Sequence, residues 1–310
     1  MKRLDTVETL ADAVKRRPVF EPVFRAFSPL LERRAALSGR LVDAMEKAAP
    51  RLPVWDSRKG QEGTPLFTGA DLEALSEFLE ESVREMLPEV SRLTAIQGHT
   101  AALESFFQRE GAVMGAAQAL MDGDGEALEA LASGAGLPPA VLAFALESVL
   151  GPVLRAAVLC MVPQHAVSPW DERPASWMQG WCPVCGASPS IGYLEEKTFD
   201  EKNAFASGGG GRKHLHCSLC GTEWHFRRGA CPSCGKEGSG TLEILRQTEG
   251  ARGERVEWCT HCRTYSPVVD LRERDTRPDM DAQALSMMHL DMVAAEKGLK
   301  PLNPSFWNQF

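Results

Sequence analysis

The chain has no surplus of positive charge: 34 Lys and Arg stand against 42 Asp and Glu over 310 residues, a formal net charge of −8. A phosphate backbone is gripped by a basic face. Only short local pairs, Arg212-Lys213 and Arg227-Arg228, offer one, so nucleic acid is not an expected partner. The opening residues Met1-Lys-Arg-Leu-Asp-Thr-Val-Glu8 lack the apolar run of an export signal, and a cytoplasmic location is the expectation. Gly208 to Gly211 before Arg212-Lys213 lacks the Gly-Lys-Ser/Thr of a phosphate loop and reads as a flexible loop tip. Asp122-Gly-Asp124-Gly-Glu126 lacks the later ligands of a calcium loop, and a polar connection between helices accounts for it. Long apolar runs are equally scarce. Ala140 to Val162 is the one candidate span, yet it carries Glu147 and Arg155 and is interrupted by Gly151-Pro152. Charges at mid-span are costly in lipid, so it reads as a central buried helix or broken helix pair.

Eight of the nine cysteines fall in four Cys-x-x-Cys knuckles: Cys182/Cys185, Cys217/Cys220, Cys231/Cys234 and Cys259/Cys262. Thiols grouped in twos are the ligand supply for tetrahedral four-sulfur sites, two knuckles to an ion, with sulfur about 2.3 Å from the metal. A disulfide framework fits poorly in a chain of this length without a secretory signal, and a thioredoxin-like motif normally occurs once. The first and third knuckles share Cys-Pro-x-Cys-Gly. The second and fourth share a threonine two residues after the knuckle, Thr222 or Thr264, and an aromatic close behind, Trp224 or Tyr265. That A-B-A-B order marks an internal duplication. It favours sequential sites, Cys182, Cys185, Cys217 and Cys220 in one, Cys231, Cys234, Cys259 and Cys262 in the other. Joining the second and third knuckles across 221–230, where Trp224 and Phe226 alternate as in a strand pair, is the competing arrangement. Strand-like alternation at Ile191 to Leu194, His214 to His216, Leu242 to Leu245 and Arg255 to Trp258 makes each copy a small antiparallel ribbon.

Four thiolates suit zinc or iron alike. Eight cysteines fill two sites and leave no open coordination position for activating water, which argues against hydrolytic catalysis. His214, His216, His225 and His261 lie near the knuckles and read as supporting or surface groups. From 181 to 275 acids and bases balance at thirteen each, so eight thiolates around two divalent ions leave this region negative.

The fold class expected is α+β and multidomain: a helical domain over 1–165, a first rubredoxin-like four-cysteine unit with its linker over 166–225, a second over 226–275, and a final helix and tail over 276–310. Leu4, Val7, Leu10 and Val14 form an apolar stripe with Asp5 and Glu8 at capping distance. Leu30 to Ala48, Asp71 to Leu87, Glu89 to Gln108 and the shorter Leu128 to Ala132 continue the helical period, with a loop over Pro53 to Gly69. Cys160 reads as a small buried residue. The linker holds Pro163, Pro169 and Pro174 with Trp170, Trp177 and Trp181, which are expected to seal the seam between domains. Asp279 to Gly298 reads as one helix whose methionines pack inward.

The ordered set Cys182-Pro-Val-Cys-Gly-Ala-Ser-Pro189, Cys217-Ser-Leu-Cys-Gly-Thr-Glu-Trp224 with Arg227, Cys231-Pro-Ser-Cys234 and Cys259-Thr-His-Cys262 closely resembles the formate dehydrogenase accessory protein FdhE family over roughly 175–298. The resemblance implies a cytoplasmic maturation factor, not an enzyme, with two rubredoxin-like metal sites. Its partner would be the catalytic subunit of a molybdenum or tungsten formate dehydrogenase. An iron electron carrier and a general zinc-ribbon adaptor are the competing readings.

Overall fold

A computed structural model describes residues 1–162, 167–172, 177–196, 211–247 and 250–308. Pro163, Pro174 and Gly208 to Gly210 lie outside the described residues. A short strand β1 (Lys2–Arg3) leads into α1 (Thr6–Arg16). Asp5 Oδ1 accepts from the Glu8 N–H at 2.8 Å and Glu8 Oε2 accepts from the Asp5 N–H at 3.2 Å, a reciprocal cap that fixes the first turn. There follow α2 (Glu21–Ala48), the single-turn α3 (Ser57–Gln61), α4 (Ser76–Ser91), α5 (Thr100–Gln108), α6 (Ala112–Asp122), α7 (Gly125–Gly134) and α8 (Pro139–Met161). The apolar α8 is the bundle's centre, with α2 and α4 packed along it. It is one unbroken helix, long and apolar enough to cross a membrane, but most of its surface is buried by protein.

Two expected helices divide. The run Glu89 to Gln108 breaks because Leu93 and Ile96 are both buried, and turns closed by Leu93 N–H to Val90 O and Ile96 N–H to Leu93 O fold them under. Tertiary burial overrides local period there. Asp279 to Gly298 becomes α9 (Met280–Ser286) and α10 (Met288–Glu296), broken at fully buried Met287. Ser286 Oγ donates to Gln283 O at 2.8 Å, an alternative to the helical ladder.

The sheet contains β2 (Ile191–Leu194), β3 (Lys213–His216), β4 (Glu223–Phe226), β5 (Leu242–Leu245), β6 (Glu254–Cys259), β7 (Thr264–Asp270) and, beyond the two-residue β8 (Thr276–Arg277) that pairs with β1, β9 (Lys300–Pro301). Its order is β4-β3-β2-β7-β6-β5, with β9 on β7. The β2/β3 and β5/β6 pairs are antiparallel ribbons. They fuse where β2 and β7 run parallel, Gly192 beside Val268 and Leu194 beside Asp270. The stretch 221–230 supplies a single strand, β4, on the outer side of β3. One sheet face buries Ile191, Tyr193, Val256 and Val269 against Met280, Met287 and Leu290 of α9 and α10.

The bundle and the sheet meet at the first two knuckles. Leu66 N–H donates to Pro183 O at 2.8 Å and Phe67 N–H to Val184 O at 2.9 Å, so the loop after α3 is stitched to the first knuckle. Arg34 of α2 donates to Ser218 O at 3.1 Å and Arg155 of α8 donates to the same carbonyl, inside the second knuckle. Both guanidiniums also hold Asp281 Oδ2, at 2.8 and 2.9 Å, and His216 Nε2 lies 3.1 Å from Asp281 Oδ1. Burial opposes the charge on Asp281, but Arg155, Arg34 and His216 outweigh it and hold the carboxylate far below its usual range. Gly151 belongs to the same joint: a Cβ there would stand 3.2 Å from Leu219 O. Trp170 and Trp177, both buried, pack edge-on to Trp55 at 6.0 and 6.1 Å and close the seam from the other side.

Removing one member of a buried, hydrogen-bonded ion cluster leaves the others uncompensated, so Arg155→Met is expected to cost about 3 kcal/mol in urea denaturation. Arg33→Met, on a half-exposed pair with Glu85, is expected to change stability by less than about 1 kcal/mol.

Candidate metal centres

Each knuckle is one tight turn closed by a backbone hydrogen bond across it: Gly186 N–H to Cys182 O, Gly221 N–H to Cys217 O, Gly235 N–H to Cys231 O and Arg263 N–H to Cys259 O, at 2.9 to 3.0 Å. The closing residue is left-handed in all four, with φ of 76°, 72°, 71° and 59°. Three are glycine, which bears that conformation without strain. The fourth is Arg263, held there by its other contacts. Its Nη2 donates to Lys297 O at 2.5 Å, its guanidinium lies over Trp258, and its carbonyl accepts from the Lys300 N–H.

The turns bring the sulfurs together in sequential pairs. Cys182, Cys185, Cys217 and Cys220 form one cluster, Cys231, Cys234, Cys259 and Cys262 the other, with all Sγ atoms of a cluster within 4.8 Å of one another. Cys182 to Cys220 is 3.4 Å, Cys185 to Cys217 is 3.5 Å, and Cys231 to Cys262 and Cys234 to Cys259 are 3.7 Å. A disulfide would need about 2.05 Å. A tetrahedron of sulfurs about 2.3 Å from an ion has edges of about 3.8 Å, so the donor set fits one four-coordinate zinc or iron in each cluster. None of His214, His216, His225 or His261 enters either cluster.

The threonines of the repeated pattern now have a role. Thr222 Oγ1 lies 3.1 Å from Cys220 Sγ. Burial disfavours the Cys262 thiolate, but the hydroxyl and N–H of Thr264 outweigh it and bring the thiol down to about 6. Hydrogen bonds of this kind hold ligand sulfurs in their charged form.

The clusters differ in access. All four sulfurs of the first belong to buried residues, whereas Cys234 is exposed and Cys262 half-buried. Cys160, away from both, is half-buried, and desolvation raises its thiol.

Beside the first cluster a cavity of about 920 Å³ opens between the bundle and the sheet. Its walls include Phe27 and Leu31 of α2, Phe144 and Glu147 of α8, Cys185 to Ser188, Leu219, Asp291 of α10 and the segment 303–308. Phe306 packs on Phe144 at 4.6 Å and Trp307 on Phe27 at 5.4 Å. Trp181, half-exposed, is also in the wall, its Nε1 donating to Gly63 O. Burial pushes Asp291 up to about 7. Tyr265 lies beside Asp291 without reaching hydrogen-bonding geometry, so both Asp291 oxygens lack a partner. Asp281, Asp291 and Trp55 had no signal in the sequence, since lone acids and tryptophans carry no spacing signature.

Comparison with known proteins finds relatives of this chain. Residues 181–228 match the family model described as FdhE, central domain. A protein FdhE homolog of Aquifex aeolicus is 28% identical over 171 residues, covering 55% of this chain and 53% of that protein. Another from Shewanella oneidensis is 32% identical over 128 residues, 41% of this chain and 38% of that protein. Each of these comparisons is a likeness to FdhE proteins. The chain thus aligns with about half or less of the length of the FdhE homologs it matches. The crystal structure of the FdhE protein from Pseudomonas aeruginosa shares the fold, with a TM-score of 0.62 at 23% identity over 97% of this chain and 93% of that one. In this chain the matched residues 181–228 follow the helical region and precede the second four-cysteine cluster.

Two outcomes follow. Under a chelator, the ion at the exposed second cluster is expected to leave first, and Thr264→Val to speed that loss about tenfold or more; metal release followed with a chromogenic chelator reads both. Asp291 titrates near 7 when folded against an ordinary value of 3.8, so the folded state keeps a proton the unfolded chain gives up. Stability therefore falls as pH rises from about 4 through 7. Asp291→Asn is expected to flatten that fall and stabilise the protein by about 1–3 kcal/mol at pH 8 in chemical denaturation.

Proposed function

We propose that this chain is a cytoplasmic accessory factor, not an enzyme, that binds the catalytic subunit of a molybdenum or tungsten formate dehydrogenase during its maturation. One ion, zinc or iron, is held by Cys182, Cys185, Cys217 and Cys220, and another by Cys231, Cys234, Cys259 and Cys262. The helical domain over 1–165, the two metal units over 166–225 and 226–275, and the segment 276–310 act together as one platform.

The observation that carries this reading is the closure of the first cluster. Its four sulfurs are buried beneath the 66–67 loop and the Arg34–Arg155–Asp281 joint. A centre with four protein thiolates keeps no coordination position for a substrate. Bound there, an ion supplies cross-linking of two knuckles too small to fold by apolar burial alone. The residues around it do positional work: Arg34 and Arg155 orient the second knuckle, and Leu66 and Phe67 the first. What remains open to a partner is the cavity beside the cluster, large enough for a polypeptide segment.

Deleting the gene is expected to abolish formate dehydrogenase activity while immunoblotting still detects the catalytic subunit at its normal level. Activity that persists would defeat the proposal.

A second reading draws on the exposure of Cys234 and Cys262, which places the second centre within reach of an electron-transfer partner. Iron there would make aerobically purified protein red, with ferric-thiolate absorption that bleaches on reduction. Colourless protein carrying two zinc ions would remove it.

A further inference from the structure

Two carboxyl groups among the described residues of the cavity wall, Asp291 and Glu147, have neither a salt bridge nor a side-chain hydrogen bond. Asp291 is 1% exposed, and although the Tyr265 hydroxyl lies beside it, neither of its oxygens is engaged in hydrogen-bonding geometry. Glu147 of α8 is exposed and lines the cavity. Among the described residues no salt bridge or hydrogen bond reaches it. Of the other two acids in the wall, Asp122 accepts from the Gly69 N–H and from Gln118 Nε2, and Asp281 is spent on Arg34, Arg155 and His216, while Arg34, the one guanidinium among the described residues of the wall, is spent in turn on Asp281 and Ser218 O. A buried carboxylate left without a partner costs the folded state a full desolvation penalty. The two acids sit in a surface that is otherwise mostly apolar, built from Phe27, Leu31, Phe144, Leu219 and Trp181.

The same wall shows how a peptide fits it. Phe306 and Trp307, side chains of an irregular segment, lie edge-on against Phe144 and Phe27. A chain of net charge −8 also attracts cationic partners at a distance.

We infer that this cavity binds a segment of a partner polypeptide that carries a basic side chain, arginine or lysine, flanked by apolar residues, with Asp291 and Glu147 receiving the cation. The inference rests on the proposed function for the partner being a polypeptide, and it adds the chemistry of recognition. The cationic group supplies the missing donors, and the flanking residues cover the aromatic and aliphatic wall. A guanidinium in such a site gains charge-assisted hydrogen bonds that a neutral group of the same shape does not.

The test uses the full chain, immobilised with its metal, and four pools of hexapeptides. Each pool has mixed apolar residues around one fixed central residue: arginine, lysine, citrulline or glutamate. Retention of the arginine and lysine pools is expected to exceed that of the citrulline and glutamate pools by about tenfold, equivalent to about 1.4 kcal/mol. Asp291→Asn and Glu147→Gln should each shrink that preference, and the double variant should bring the four pools to parity. Thermal unfolding of the variants at least as high as the parent's would show that the loss is not one of folding. Equal retention of all pools by the parent, or a preference that survives the double substitution, would overturn the inference. Capture of the formate dehydrogenase catalytic subunit from extract is read in parallel. Undiminished capture by the double variant would leave the proposed function standing and sink the cavity's role. Pool discrimination without any capture of that subunit would do the reverse.

Discussion

One carbonyl oxygen does much to organise this molecule. Ser218 O lies inside the second knuckle and accepts from Arg34 and Arg155, which come from two different helices of the bundle and share Asp281 at the start of α9. Three parts of the chain, far apart in sequence, therefore converge on one turn whose two cysteines belong to the first cluster. The enthalpy of such a cluster is largely consumed by desolvating its charges. Its value is geometric: guanidinium forks fix direction as well as distance. Close packing at Gly151 and the backbone bonds from Leu66 and Phe67 then leave the first cluster a single seat.

The two ribbons share a sequence pattern but not equivalent surroundings. The strand β2 of the first copy pairs in parallel with β7 of the second, so the copies join through non-corresponding strands and the sheet has two unlike ends. One end carries β4 beneath Trp170 and Trp177. The other carries β5, whose Ile244 is exposed, beside a cluster open to solvent. Identical ligand chemistry is thus placed in two dielectric environments, and burial alone separates the behaviour expected of the two ions.

The cysteine pairing was legible because knuckle turns impose their own local sequence. Glycine follows where φ turns positive, and threonine follows where a hydroxyl must reach sulfur, so the A-B-A-B order carried the connectivity. The capping box at Asp5 and Glu8 was legible for the same reason, being complete within four residues. What escaped was anything that depends on contact across the chain. Gly151-Pro152 reads locally as a helix breaker, yet α8 runs through it, and the glycine serves as clearance for Leu219 O. Arg155 reads as a flaw in an apolar helix and is one of the two guanidiniums at the joint. The split at Met287 comes from burial against the sheet, which no window around Asp279 to Gly298 contains.

The cavity inherits its shape from the same joint. Its walls are drawn from the bundle, from the first two knuckles and from the segment 303–308, while Arg34 and Asp281 stand in the wall itself. Any occupant must touch parts that are in register only when bundle and knuckles are docked. Such an occupant binds the docked form and not the undocked one, so by mass action it adds its own binding free energy to the docking equilibrium. The converse holds with equal force. A first cluster without its ion would lose the turn that presents Ser218 O, the two arginines would lose their common acceptor, and the wall would no longer be continuous. Joint and cavity are therefore thermodynamically one unit, and an ion held by the first cluster would be linked to both, its cross-link helping to offset the cost of an unpaired Asp291.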